Sequence, residues 1–118
     1  MKDTIIQNWN DIMQLLETQY DISDIIVKTW IETLTLDRVE DKTAYFYVDE
    51  KKGTHGVEYL RNKGYDVFLL SAIRECLNDA EIDIVIDTYD NIVNLDSMDR
   101  VILIRSFYMV KAELERLT

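Results

Sequence analysis

Ile22-Ser23-Asp24-Ile25-Ile26-Val27-Lys28-Thr29-Trp30-Ile31-Glu32-Thr33-Leu34 runs into Thr35-Leu36-Asp37-Arg38-Val39-Glu40-Asp41-Lys42-Thr43-Ala44-Tyr45-Phe46-Tyr47-Val48, and the apolar period changes half-way. In the first half Ile26, Trp30 and Leu34 share one helical face, and Val27, Ile31 and Leu34 share the adjoining one. Ser23 is placed to accept a backbone N–H of the first turn, with Ile22 and Val27 as a hydrophobic staple across it. In the second half Leu34 and Leu36, then Ala44, Phe46 and Val48, alternate with polar or amphipathic neighbours, and Glu40-Asp41-Lys42 supplies a turn. The stretch therefore predicts a tryptophan-bearing amphipathic helix feeding a two-stranded hairpin. Trp30 is expected in the core, against the apolar face of the hairpin around Phe46.

Working outward, Asp3 or Thr4 can cap a first helix to about Tyr20, with Ile5, Trp9, Ile12 and Leu16 as one stripe that Ile6 and Met13 widen. The short connection through Asp21-Ile22 predicts that helices one and two pack as an antiparallel pair. After the hairpin, residues 49–56 read as an exposed loop and residues 57–77 as a long helical pattern. Gly64 should kink or break it, at a cost of about 1 kcal/mol against alanine. Cys76 reads as a small core residue. Ile82, Ile84 and Ile86 alternate as a third strand over 81–87, and residues 88–96 read as a connector. Asp96 or Ser97 can then cap a last helix to Leu117. Its residues Leu103, Phe107, Val110, Leu114 and Leu117 are spaced as a heptad seam, and Val101, Ile104 and Tyr108 add a second flank. The fold class is α+β: helix, helix, strand, strand, helix, strand, plus an additional C-terminal helix. Residues 1–88 form the domain, and residues 89–118 hold a connector and a helix packed on it or at a dimer interface.

The 118 residues carry 13 basic and 23 acidic groups, a net charge of −10. That balance weighs against duplex DNA, where phosphate neutralisation supplies most of the affinity. Residues 41–80 are nearly balanced, with Lys51, Lys52, Arg61 and Lys63 as a local basic group. Proline is absent and the three glycines fall between 53 and 64, so no linker is expected. The single cysteine rules out an intramolecular disulfide. No signal pattern opens the chain and no apolar run approaches a membrane span, so a cytoplasmic protein without membrane attachment is expected.

One histidine and one cysteine cannot assemble a His/Cys metal cage or a Cys–His nucleophile of familiar spacing. No phosphate-cradling glycine loop occurs, and the carboxylates lie mostly opposite the apolar stripes. Neither an enzyme nor a cofactor is expected. Gly53-Thr54-His55-Gly56, preceded by Lys51 and Lys52, matches the GxxG with which K-homology domains clamp a nucleic-acid backbone. There the loop joins two helices, whereas here it links strand to helix. Lys51, Lys52, Gly53, His55 and Gly56 are thus a weak candidate contact for single-stranded nucleic acid.

Trp30-Ile31-x-x-Leu34, a polar hairpin, a second strand and a helix carrying Val57-Glu58-Tyr59-Leu60-Arg61-Asn62-Lys63 resemble the N-terminal domain of the bacterial replication initiator DnaA, over roughly residues 4–87. The resemblance implies a K-homology-like small sheet packed on helices, scaffolded here by Trp30, Ile31, Leu34 and Leu60, with Phe46 from the hairpin. It implies a non-enzymatic protein–protein interaction module linked to replication initiation or its regulation, with replication proteins or a second copy as partners. Trp9 occupies the place of the family's self-association aromatic, and Phe107 and Leu114 of the seam are further self-association candidates. The family's helicase contact uses an acidic residue four positions before the second-helix tryptophan and an aromatic one four before the third-helix tryptophan. Those positions hold Ile26 and, taking Tyr59 as the match to the second tryptophan, His55. The ATPase and duplex-binding modules of complete initiators do not fit in 118 residues.

Overall fold

The structure, a computed structural model, describes residues 1–94. The C-terminal helix expected from Asp96 or Ser97 to Leu117, Phe107 and Leu114 included, lies outside the described residues. The elements are α1 (Lys2–Gln7), α2 (Trp9–Thr18), α3 (Asp24–Ile26) passing into a π-helical turn (Val27–Ile31), β1 (Thr35–Glu40), β2 (Thr43–Tyr47), α4 (Gly53–Asn62), α5 (Tyr65–Leu77), β3 (Asp83–Asp87) and α6 (Tyr89–Asn94). The class is α+β, as expected. The sheet has the order β1-β2-β3, with β1 antiparallel and β3 parallel to β2. A parallel pair needs a long crossover, which α4 and α5 supply.

Local chemistry accounts for most of the boundaries. Ile26 N–H donates to Ser23 Oγ at 3.4 Å, and the staple residues Ile22 and Val27 are both buried. Asp41 and Lys42 both take positive φ, +48° and +64°, so the hairpin closes through a two-residue turn of the kind that suits the strand twist. Gly64, at φ +73°, separates α4 from α5, the break that its sequence position predicts. The first helix is divided at Asn8, whose side-chain amide donates to Thr4 O at 2.8 Å; α1 ends on one side and α2 begins on the other. The expected stripe survives this break. Ile5, Ile12, Leu16 and Met13 are buried, whereas Ile6 is 53% exposed.

A β-bulge between Leu36 and Arg38 sets the register of the hairpin. Leu36 opposes Phe46 and Val39 opposes Ala44, so two residues three apart in sequence share one sheet face. That face packs with Ile84 and Ile86 against Ile12, Leu16, Leu60, Leu69 and Ile73. The opposite face carries Tyr45 and Val85, which cluster with Ile92 of α6.

Three local expectations need correction. Residues 88–96 were expected as a connector, yet Tyr89–Asn94 is helical. The reason is that Val85, placed on the outer side of an alternating strand, is as buried as its neighbours and needs a cover. Arg38 Nη2 donates to Ile92 O at 3.1 Å, and Asn91 Nδ2 to Asp87 Oδ1 at 2.9 Å, fixing α6 on that face. Residues 49–56 were expected as an exposed loop, but Gly53-Thr54-His55-Gly56 is the first turn of α4. The third is the helix before the hairpin, expected to run as a regular α-helix to Leu34, which is π-helical over Val27–Ile31.

Candidate functional site

The two tryptophans occupy different environments. Trp9, at the start of α2, stacks on Phe46 with ring centroids 5.7 Å apart. Phe46 is fully buried at the centre of the sheet, so Trp9 lies on top of the core and is itself only partly covered. Beside it opens a groove of about 420 Å³ lined by Ile5, Ile6, Trp9, Leu34, Leu36 and Phe46, with Asn10 and Thr35 also in its wall. The lining is predominantly apolar and carries no charged side chain. A concavity of this kind is fitted to an apolar side chain of another segment and to no acid–base or redox chemistry.

Trp30 is half-buried, packed against the main core and not within it as expected, and the ring stacked on Phe46 is that of Trp9. The cause is the π-helical turn, closed by Glu32 N–H donating to Val27 O at 2.7 Å. A π turn inserts an extra residue, which shifts the i, i+4 spacing on which the expected stripe of Ile26, Trp30 and Leu34 rests. Ile31 and Leu34 stay buried while Trp30 turns toward α4. There its ring meets Tyr59 at 4.2 Å, and Tyr59 meets Tyr65 at 5.9 Å. The Lys52 ammonium stands 5.4 Å from the Trp30 ring centroid and donates to Thr29 O and to Thr33 Oγ1. Lys52 thereby holds the carbonyl end of the π turn.

That arrangement divides the GxxG group. Lys51 and His55 are exposed, Gly53 is partly covered with φ +52°, and Lys52 is tied to Trp30. Gly56 is buried, and a Cβ there would lie 2.8 Å from Lys52 Cβ, so close packing of the helix start accounts for the glycine. Of the other scaffold residues, Ile31, Leu34, Phe46 and Leu60 are buried. Ile26 is half-buried. A second, polar cavity lies where β2 and β3 end, between Glu50 and Thr54 on one side and Thr88, Tyr89, Asp90 and Asn91 on the other.

Burial, with the charges of Asp11 and Glu75, raises the Cys76 thiol above its ordinary value, so it is protonated at neutral pH and a poor nucleophile. No group of three His, Cys, Asp or Glu side chains placed to hold a metal occurs among the described residues, nor does a helix long and apolar enough to cross a membrane. Sequence reasoning missed the groove and the Lys52–Trp30–Tyr59 stack. Ile6 beside the Trp9 stripe was the available signal for the first.

No family model matches the chain, and no solved structure matches it. Over 88 residues it is 35% identical to the chromosomal replication initiator protein DnaA of Lachnoclostridium phytofermentans. The match takes in 73% of this chain and 19% of that protein, so the chain spans about a fifth of the length of this curated relative. By sequence the chain is a relative of the replication initiator DnaA, and the matched segment and the α+β fold are consistent with that initiator's N-terminal domain.

Proposed function

We propose that the chain is a non-enzymatic protein–protein interaction module of the cytoplasm that serves replication initiation or its regulation, binding replication proteins or a second copy of itself. The observation that carries this reading is the apolar groove beside Trp9, on a domain related to an initiator. Trp9 stands at the position that the family resemblance assigns to self-association. Ile26 and His55 replace the acidic and aromatic side chains of the family's helicase contact, which favours a partner set different from that of a complete initiator.

Single-stranded nucleic acid is the second reading, favoured by exposed Lys51 and His55 at the start of α4. It is the weaker one, because Lys52 is engaged by Trp30 and Gly56 is packed. Purified chain titrated with purified DnaA and with replicative helicase, by surface capture, tests the first reading. Trp9→Ala should weaken the interaction by about tenfold, which is about 1.4 kcal/mol, while far-ultraviolet dichroism is kept. Binding indifferent to Trp9→Ala would remove the groove from the function. Retention of single-stranded oligonucleotides alone, falling steeply with salt, would replace this reading by the second.

A further inference from the structure

The polar cavity where β2 and β3 end shares no residue with the Trp9 groove. One wall is the loop from β2 into α4, which Asp49 shapes. Its carboxylate accepts the Lys51 N–H at 3.1 Å, and its carbonyl accepts the N–H groups of Lys52 and Gly53. The other wall is the start of α6, where Asp87 Oδ1 accepts the Thr88 N–H at 2.7 Å and the Asn91 side-chain amide at 2.9 Å. Val48 N–H donates to Asp87 O at 3.1 Å and ties the two walls together. The cavity between them has a volume of about 600 Å³, and Glu50, Thr54, Tyr89 and Asp90 of its lining are exposed. It is therefore a preformed, open cleft on a hydrogen-bonded frame.

Its lining decides what the cleft can take. Glu50 comes from one wall and Asp90 from the other, and among the described residues neither has an ion pair or a hydrogen-bond donor on its carboxylate. No described lysine or arginine lines the cleft to neutralise them. Tyr89 adds an aromatic surface: it meets Tyr47 at 90° with centroids 5.0 Å apart, yet is still 40% exposed. Carboxylates on two sides and an exposed ring suit a planar cation, because a guanidinium donates in a fork to a carboxylate and stacks on an aromatic face. Walls this exposed hold a free ion weakly. A side chain carried in by a docked segment is held by the rest of the contact as well, and the net charge of −10 steers a basic segment toward the chain. We propose that this cleft receives an arginine side chain from a basic segment of a partner protein, with the guanidinium between Glu50 and Asp90 and against Tyr89. The inference rests on the proposed interaction function and deepens it, since it gives the chemistry by which a partner is recognised at a second place.

The test uses the full chain, isotope-labelled for amide resonances, and as probe a blocked glycine–serine peptide with one central arginine. Saturable shifts should cluster at Gly53, Thr54 and residues 88–91. The matched citrulline peptide, which keeps the shape and loses the charge, should bind severalfold more weakly, and the lysine peptide should fall between the two. Glu50→Gln and Asp90→Asn should each weaken the arginine peptide by about threefold, as for an exposed ion pair. Both residues are exposed, so far-ultraviolet dichroism should be kept. Citrulline bound as tightly as arginine, or shifts spread evenly over the other carboxylates of the chain, overturns the proposal. So does spermidine saturating the same amides more tightly than the arginine peptide, which would make the cleft a site for a free polyamine. The partner titration proposed above separates this inference from the reading on which it rests. Partner binding that depends on Trp9, together with no clustered arginine shifts, overturns the cleft and leaves the interaction reading standing. Clustered arginine shifts in a chain that binds neither partner support the cleft and overturn the choice of partners.

Discussion

Trp9 and Trp30 stand in similar sequence surroundings, each in an apolar stripe at helical spacing, yet the fold treats them differently. Both rings are half-buried, but Trp30 has Tyr59 and the Lys52 ammonium against it. Trp9 has Phe46 against it and an open apolar groove beside it. A tryptophan engaged by side chains of its own domain contributes to stability, and one left beside an open groove is available for recognition. Helical spacing alone cannot separate the two roles, because both satisfy it.

The comparison can be broken first at the residue on which Trp9 rests. Phe46→Ala empties a fully buried site at the centre of the sheet and should cost about 3–5 kcal/mol, read as a shifted denaturation midpoint. A small change would mean that the sheet face and Trp9 repack together. Next, Trp30→Ala should cost about 2–3 kcal/mol, through lost packing, the Tyr59 ring contact and the cation–π contact. Trp9→Ala should cost less, about 1–2 kcal/mol, because one side of its site is open. Reversal of that order in urea denaturation would exchange the roles of the two rings.

A finer division lies within the adjacent lysines. Lys52→Met should cost about 1 kcal/mol, since it removes the charge over Trp30 and the bonds to Thr29 and Thr33. Lys51→Glu should stay within about 0.5 kcal/mol, as for other surface changes. Equal effects would detach Lys52 from the tryptophan cluster.

The smallest effect concerns pH, at the hairpin turn. The Glu81 backbone N–H, and then Lys42, hold the Asp79 carboxyl below its ordinary value. The contribution of Asp79 is therefore present above its unfolded value and is lost as pH falls through the lower folded value. Lys42 is shifted upward by Glu81 and then Asp79, so its share is present below its ordinary value and lost as pH rises through the folded one. Lys42→Met should flatten both ends of the stability–pH curve slightly, and an unchanged acid limb would assign the Asp79 shift to the Glu81 N–H alone.

Much of the fold was legible because its signals are local. The Ser23 cap, the Asp41-Lys42 turn, the Gly64 break and the third strand each rest on a few adjacent residues whose backbone preferences agree. The groove was less legible. Ile5, Trp9, Leu34, Leu36 and Phe46 come from three separate stretches, and periodicity assigns each to a buried face without saying where a face ends. The GxxG was legible as a motif and misleading as a site. Gly56 answers to the Cβ of Lys52 one turn earlier, a contact that exists only once α4 forms.

The sequence by itself determined the α+β class, the order of helices and strands, the apolar faces that build the main core and the kinship with an initiator, because these depend on local period, turn chemistry and residue identity. The tertiary structure alone decided the parallel pairing of β3, the bulge that brings Leu36 and Val39 to one face, the helix α6 that covers Val85 and the π turn that carries Trp30 against Tyr59. Each of these depends on what a residue meets from a distant part of the chain. A local pattern carries no record of that meeting.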